Sequence, residues 1–380
     1  SLNTAAQTLQ LVGIETVTAT TTGSASTLIL TDSTGTDILA TVNVSGSANL
    51  TLTGTGSTAI KTVSAADMTG KLTLDISASS ANANTVTGGT GADTIDIGAV
   101  TSTDTVDGGA GADTLTIAAA TTVANAVGVT NVETLSIVGA SGTVSQDMDA
   151  FDATTISVGA NSNNTITLSD LSVTQNTLSL VSNNSDGTGI SAARKVDSLA
   201  DAMTVNVGAA AAGVTVALLT TTNEETMTVN SSGGANVLTN WTAADLTSLT
   251  ITGDKSFVVT NAIGGTPALA TVDASGTTGA TTINASGSTV AMTMTGGTGI
   301  DTMTGGASND TLTGGAGNDV LDSGDGVNTI NGGEGNDTLT GGTGIDTISG
   351  GAGIDTIAGG TGNDILTGGE GNDTFNFGTN

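Results

Sequence analysis

The phrase Gly-Gly-x-Gly-x-Asp-x-apolar-x runs nine times without a break from Gly296 to Asn376. It reads GGTGIDTMT, GGASNDTLT, GGAGNDVLD, SGDGVNTIN, GGEGNDTLT, GGTGIDTIS, GGAGIDTIA, GGTGNDILT and GGEGNDTFN. No single repeat is long enough to bury an apolar face by itself, so the copies must stack on one another. The eighth position holds Met303, Leu312, Leu321, Ile330, Leu339, Ile348, Ile357, Leu366 and Phe375, apolar in every copy, and so faces a core. The seventh holds Thr302, Thr311, Val320, Thr329, Thr338, Thr347, Thr356, Ile365 and Thr374, all β-branched, as the outer side of a short strand prefers. Positions seven to nine read as a three-residue strand. The glycines at one, two and four read as a tight turn that visits positive φ and brings backbone close to an ion.

Two nonapeptides complete one coil, so the turns fall into two columns. One column carries Asp301, Asp319, Asp337, Asp355 and Asp373; the other carries Asp310, Asn328, Asp346 and Asp364. Residues 296–376 hold twelve Asp and Glu and no Lys or Arg. Stacked at about 5 Å per coil, such carboxylates repel unless something neutralises them. A flexible linker or disordered tail would have no reason to keep the eighth position apolar. Two copies depart from the pattern: Ser308 replaces a turn glycine, and the fourth repeat opens with Ser323 and has Asn328 in place of Asp. The two gaps flanking Asn328 are expected to bind a cation more weakly, with Asp322 or Asp325 as possible compensation. A shorter block precedes: GGTGADTID from Gly88, AVTSTDTVD over 99–107 with Asp104 but no glycines, and GGAGADTLT from Gly108. Its first and third turns stack, placing Asp93 and Asp113 in one column.

Elsewhere the chain alternates Thr and Val with apolar residues in runs of four to six, as in LTLDIS from Leu72, TVNVG from Thr204 and SLTITG from Ser248, separated by Gly, Asn, Ser or Asp. Such runs are short strands. One helix is expected, Ser191–Met203, with Val196, Leu199, Ala200 and Met203 on one face. Ala65-Ala66-Asp67-Met68-Thr69 is echoed by Ala243-Ala244-Asp245-Leu246-Thr247, and GIETVTAT, NVETLSIV and NEETMTVN share a Glu-Thr-apolar core. Glu15, Glu133 and Glu224/Glu225 are read as solvated strand-end residues, with capping of a turn or contact with an ion as the alternative. Trp241 reads as a core plug between coils.

Composition narrows function. The 380 residues contain no Cys and no His, so disulfides, thiolate chemistry and histidine-ligated zinc are absent. The net charge is −30 against five basic residues (Lys61, Lys71, Arg194, Lys195, Lys255), which excludes nucleic acid as a partner. No apolar run is long enough for a transmembrane segment. Serine hydrolases need a GxSxG turn and a His base; phosphate loops need GxxxxGK[ST]. Neither is present, so no catalytic residue and no enzyme activity is expected.

The nonapeptides resemble the repeat of RTX proteins. Together with the Glu-Thr-Leu strands and the lead-in Val272–Gly276 and Ile283–Gly287, they make the chain similar to RTX-type bacterial surface-layer proteins. The resemblance implies an all-β, right-handed parallel β-solenoid with two calcium β-roll blocks. The expected segments are 1–87 β-solenoid, 88–116 short calcium β-roll, 117–295 β-rich solenoid or sandwich-like segment with one candidate short helix near 191–203, and 296–380 calcium β-roll. The implied ligands are Asp93, Asp113, Asp301, Asp310, Asp319, Asp337, Asp346, Asp355, Asp364 and Asp373, with backbone carbonyls of Gly296, Gly314, Gly332, Gly341, Gly350 and Gly359. These suit Ca2+, about seven ions in 296–376 and about one in 88–116. It also implies type I secretion, folding on extracellular calcium, and self-assembly into a lattice on a Gram-negative cell surface. Lipopolysaccharide would be bound through sequence outside this chain. An RTX adhesin, a biofilm-matrix module, or the calcium-folded C-terminal part of a larger secreted protein is the alternative.

Overall fold

The computed structural model describes residues 6–32, 39–55, 60–79, 83–118, 128–138, 144–159, 165–196, 200–208 and 213–377, with backbone alone at 32, 79, 150 and 184–188. The chain divides into two compact units: Ser1–Gly159 with Ile166–Gln175, and Ala160–Thr165 with Asn176–Asn380. Each is a right-handed parallel β-solenoid. Among the described residues no α-helix occurs.

In the first unit, successive coils contribute one strand to each of two faces. One face runs Ala6–Leu11, Ser26–Asp32, Leu50–Thr55, Leu72–Asp75, Thr94–Asp96, Thr114–Ile117, Thr134–Ile137 and Thr155–Val158, each parallel to the next. The other runs Thr16–Thr21, Thr41–Gly46, Thr62–Met68, Thr85–Thr87, Thr105–Asp107 and Val129–Thr130. Side chains alternate across each strand, so Val42, Leu52, Leu74, Val86, Ile95, Val106 and Leu115 stack inward with almost no exposure while the intervening threonines face out.

The second unit repeats the plan. One face runs from Thr177–Leu180 through Ala202–Val207, Thr226–Ser231, Ser248–Gly253 and Thr271–Thr277 into the nonapeptides. The other runs from Asn184–Arg194 through Thr215–Thr222, Asn236–Ala243, Phe257–Val259 and Thr281–Asn284. In the array Thr311 pairs with Thr329 and Thr302 with Val320, so eighteen residues make one coil and alternate repeats share a face. The eighth-position residues from Met303 to Ile357 are buried; Leu366 is half-buried and Phe375 is 37% exposed, stacked on Phe377.

Three local features differ from the reading of the sequence. Most repeat strands are longer than three residues: Thr311–Ala316, Thr329–Glu334, Thr338–Thr343, Thr347–Ala352, Thr356–Thr361 and Ile365–Glu370 continue through the glycine pair, which keeps pairing with the next coil (Gly315 with Gly333, Gly333 with Gly351). The helix expected at Ser191–Met203 is not formed. Its start belongs to the strand Asn184–Arg194 and its end to Ala202–Val207, while 197–199 lie outside the described residues. Burial of Ile190, Ala192 and Arg194 at every second position, with Val196 66% exposed, shows period two prevailing over helical spacing. Finally, the Glu-Thr strands are tied to the coil before them. Glu133 Oε2 accepts from the Asp113 N–H at 2.7 Å and Glu225 Oε2 from the Asp201 N–H at 2.8 Å.

The echoed Ala-Ala-Asp segments share one burial pattern, although the first lies within the strand Thr62–Met68 and the second turns away after Asn236–Ala243. Ala65 and Met68 are buried in one, Ala243 and Leu246 in the other. Trp241 is a core plug, 1% exposed, with Nε1 donating to Thr221 Oγ1 at 3.3 Å.

Candidate metal centres

The position-six carboxylates form two ladders built by one repeated hydrogen bond. Above the first rung of each column, Oδ1 accepts from the backbone N–H of the position-six residue one coil earlier. In the first column Asp319 takes Asp301 N–H at 2.7 Å, Asp337 takes Asp319 at 2.8 Å, Asp355 takes Asp337 at 2.8 Å and Asp373 takes Asp355 at 3.1 Å. In the second, Asn328 takes Asp310 at 2.8 Å, Asp346 takes Asn328 at 2.8 Å and Asp364 takes Asp346 at 3.0 Å. In the short block Asp113 takes Asp93 N–H at 2.7 Å. The position-six residues therefore stack in columns, one coil apart.

The second carboxylate oxygen distinguishes three kinds of gap. At the foot of each column the turn closes on itself. Gly297 N–H donates to Asp301 Oδ2 at 2.7 Å, Gly306 N–H to Asp310 Oδ2 at 2.8 Å, and Gly89 N–H to Asp93 Oδ2 at 2.8 Å. In the turns stacked above, the position-two glycine is at positive φ (Gly315 +111°, Gly333 +114°, Gly342 +98°, Gly351 +110°) and no longer reaches the carboxylate. There Oδ2 of Asp319, Asp337, Asp346 and Asp355 is buried without a hydrogen-bond partner, and so is Oδ2 of Asp113. A buried carboxylate oxygen left without a partner costs more than a neutral group in the same place.

Each unpartnered oxygen shares its space with a carbonyl from the next coil. A Cβ built on Gly332 would collide with both Asp337 Oδ2 and the Gly350 carbonyl; one on Gly314 with Asp319 Oδ2 and the Gly332 carbonyl; one on Gly350 with Asp355 Oδ2 and the Gly368 carbonyl; and one on Gly341 with Asp346 Oδ2 and the Gly359 carbonyl. Glycine is required at these positions because the space above the α-carbon is an oxygen-lined cradle. Two oxygens of the same sign facing each other in a dry gap fit a hard cation between them. Burial raises the Asp301, Asp310, Asp337 and Asp346 carboxyls above the ordinary range. Asp319 is pushed up to about 6 by burial and by the neighbouring Asp301 and Asp337 charges.

The fourth repeat is the third kind. Ser323 Oγ donates to the Gly341 carbonyl at 2.7 Å, and Asn328 Nδ2 donates to the same oxygen at 3.4 Å. Hydroxyl and amide protons here face the carbonyl that an unpartnered Oδ2 faces in the open gaps. Asp322 and Asp325 do not turn into this gap: Asp322 Oδ1 accepts from Gly324 N–H at 3.1 Å and Asp325 Oδ1 from Thr343 Oγ1. Asp104, the position-six residue of the glycine-free turn, is also satisfied, by Asn84 N–H, Thr101 N–H and Thr101 Oγ1 at 2.6, 2.6 and 2.8 Å.

Among the remaining expected ligands, Gly296 stands at the foot of its column, where its α-carbon faces the Gly314 carbonyl and the hydrogen-bonded Asp301 Oδ2. Asp364 and Asp373 belong to the last turns and are half-buried. Among the described residues no three carboxylates converge on one point, so an ion held in these gaps would take most of its coordination from carbonyl oxygens. No helix among the described residues is long and apolar enough to cross a membrane.

Sequence reading did not single out the pair Arg194–Glu224, buried at 2.8 Å in the second unit. Its signal was the replacement of an inward apolar residue by Arg194 at the end of an alternating strand.

The family model of the RTX calcium-binding nonapeptide repeat matches residues 78–99, 101–116, 295–330, 323–348, 331–353 and 349–379. No curated protein matches the chain.

Proposed function

We propose that this chain, which carries RTX calcium-binding nonapeptide repeats, is a secreted structural protein folded by extracellular calcium that assembles into a surface layer on a Gram-negative cell. The observation that carries the calcium part is the set of buried, unpartnered Oδ2 atoms facing glycine carbonyls of the next coil. Asp319, Asp337 and Asp355 would hold ions in one column and Asp346 in the other, each with carbonyls of the following turn. Of the seven gaps between stacked turns in the long array, these four have an unpartnered Oδ2, so about four ions are expected to bind firmly. When bound, calcium supplies divalent charge and flexible oxygen coordination. The protein's own residues do the rest: Oδ1 fixes each carboxylate to the coil before it, and the apolar stack excludes water from the inner side of the turn.

RTX repeat proteins are generally secreted and extracellular. Low calcium inside a producing cell would leave the ladders uncompensated and the array unfolded; extracellular calcium, at about 10⁻⁴–10⁻³ M for such modules, would close it. The lattice role is supported by the resemblance to surface-layer chains and by a second unit built of stacked coils with no catalytic constellation in its sequence.

Two measurements test the reading. Far-ultraviolet circular dichroism in excess EGTA should show loss of β signal that calcium restores; an unchanged signal and melting temperature would remove the calcium-folding premise. Electron microscopy after calcium addition should show ordered sheets. A calcium-folded chain that stays monomeric at high concentration would favour an adhesin or matrix module over a coat.

A further inference from the structure

We propose that the short block seats its cation between the turn Gly108–Asp113 and the turn Asn131–Glu133, one coil beyond the place between Asp93 and Asp113 where repeat counting puts it. The proposal rests on the calcium reading above and locates a seat that lies partly outside the nonapeptides, since the family match in this region ends at residue 116.

The argument begins with the gap below. Asp93 Oδ2 accepts from Gly89 N–H at 2.8 Å, and Asp93 Oδ1 from Leu72 N–H at 2.7 Å. Asp93 Oδ2 and the Gly108 carbonyl line the space above Gly88, but both carboxylate oxygens already have partners, so none is left waiting for a cation. Asp113 differs. Its Oδ1 holds Asp93 N–H at 2.7 Å, but its Oδ2 has no partner and the residue is fully buried. The glycine that would have satisfied it has turned away: Gly109 lies at φ +94°, and its N–H donates to Asp107 Oδ1 at 3.1 Å.

The free oxygen faces the next coil. A Cβ on Gly108 would stand 2.8 Å from Asp113 Oδ2 and would collide with the Asn131 carbonyl oxygen. This is the arrangement found at Gly332 and Gly350 in the long array, with Asn131 supplying the carbonyl that a glycine supplies there. Asn131 is held for this purpose. It occupies the left-handed region at φ +52°, and its Nδ2 donates to Asp107 Oδ1 at 2.8 Å. The carboxylate ladder continues through the same turn, because Glu133 Oε2 accepts from Asp113 N–H at 2.7 Å, the bond that a position-six Asp makes elsewhere. The Glu-Thr motif thus caps the block with a longer side chain on a shorter turn. Asp93, Asp107 and Glu133 surround the seat with negative charge, and no Lys or Arg lies in residues 72–193. Carboxylate and carbonyl oxygens in a strongly negative pocket select a hard divalent cation, with calcium as the probe.

The test uses the full chain and calcium itself. Equilibrium dialysis with radioactive calcium should show that Asp113→Asn binds one ion fewer per chain than wild type. Asp93→Asn should keep the wild-type count, since its two oxygens serve hydrogen bonds. An anomalous difference map from wild-type crystals grown in calcium gives a readout without any variant: a peak within reach of Asp113 Oδ2 and the Asn131 carbonyl supports the seat, and a peak only between Asp93 and Asp113 overturns it. A calcium-binding chain whose count is unmoved by Asp113→Asn overturns this seat alone. A wild-type chain that binds no calcium overturns the calcium reading with it.

Discussion

Replacing Asp337 by asparagine should stabilise the protein without calcium and destabilise it with calcium. The amide oxygen of the introduced side chain can keep the bond from Asp319 N–H that Asp337 Oδ1 makes at 2.8 Å. The amide nitrogen would take the place of Oδ2, which has no partner and faces the Gly350 carbonyl. The chain already contains this solution, because Asn328 Nδ2 donates to the Gly341 carbonyl at 3.4 Å in the neighbouring column. Removing a buried unsatisfied oxygen relieves about 1–3 kcal/mol, more when it is charged. In chelator the variant should therefore gain about that much. In calcium it forfeits one bound ion, about 2.7 kcal/mol when free calcium is a hundred times the dissociation constant. Urea unfolding followed by circular dichroism, in EGTA and in millimolar calcium, measures both arms. An osmolyte such as trimethylamine N-oxide can bring the metal-free chain into the transition range. Equal destabilisation in both media would refute the reasoning, since it would mean that Oδ2 is not an unpaired acceptor awaiting a cation.

Other outcomes follow from the same geometry. Gly332→Ala puts a methyl group into the cradle of Asp337 Oδ2 and the Gly350 carbonyl; it should lower calcium stoichiometry by one and cost about 1–3 kcal/mol, whereas alanine at the exposed Thr338 should leave the count unchanged. Leu339→Ala, at a fully buried position of the apolar stack, should cost about 2–5 kcal/mol in saturating calcium, read by urea midpoint. Burial pushes the Glu224 carboxyl up to about 7 against the pull of Arg194. A carboxyl raised in the folded state contributes stability that is complete below its unfolded value near 4.5 and is lost as pH rises through about 7. At saturating calcium the melting temperature of wild type should thus fall between pH 5 and 7 relative to that of Glu224→Gln, and parallel curves would show that the carboxyl does not titrate there.

Much of this architecture is legible in the residues. The eighth-position apolar stack, the eighteen-residue coil and the two aspartate columns follow from the repeat alone, and each corresponds to an observed pairing. What the sequence conceals is context. Gly297 and Gly315 occupy the same position of the same motif, yet only Gly297 closes on its own carboxylate, because Gly315 has a nonapeptide turn stacked beneath it. The identity of a residue cannot reveal which kind of neighbour lies one coil below. Likewise Glu133 looks like a solvated strand end until the fold brings it within 2.7 Å of the Asp113 N–H. The helical spacing at Ser191–Met203 misleads because Ala-rich residues fit two periods, and only the inward Ile190, Ala192 and Arg194 decide between them. Ser323 and Asn328, by contrast, stand out as departures in the sequence, but their joint grip on one carbonyl is a property of the stacked coils.

Every buried rung reaches backward along the chain: Oδ1 of Asp319, Asp337, Asp355 and Asp373 each secures an amide belonging to the coil made before it. The stack therefore has an arrow. Shaving coils from the carboxyl end leaves a position-six amide without its carboxylate, whereas trimming at the opposite end of a column leaves a carboxylate without its amide and the next N–H, such as that of Thr356 on the Asp337 carbonyl, without its acceptor. A chain emerging amino end first has each layer locked by its successor, so the newest layer is always the loosest and the oldest the most firmly held.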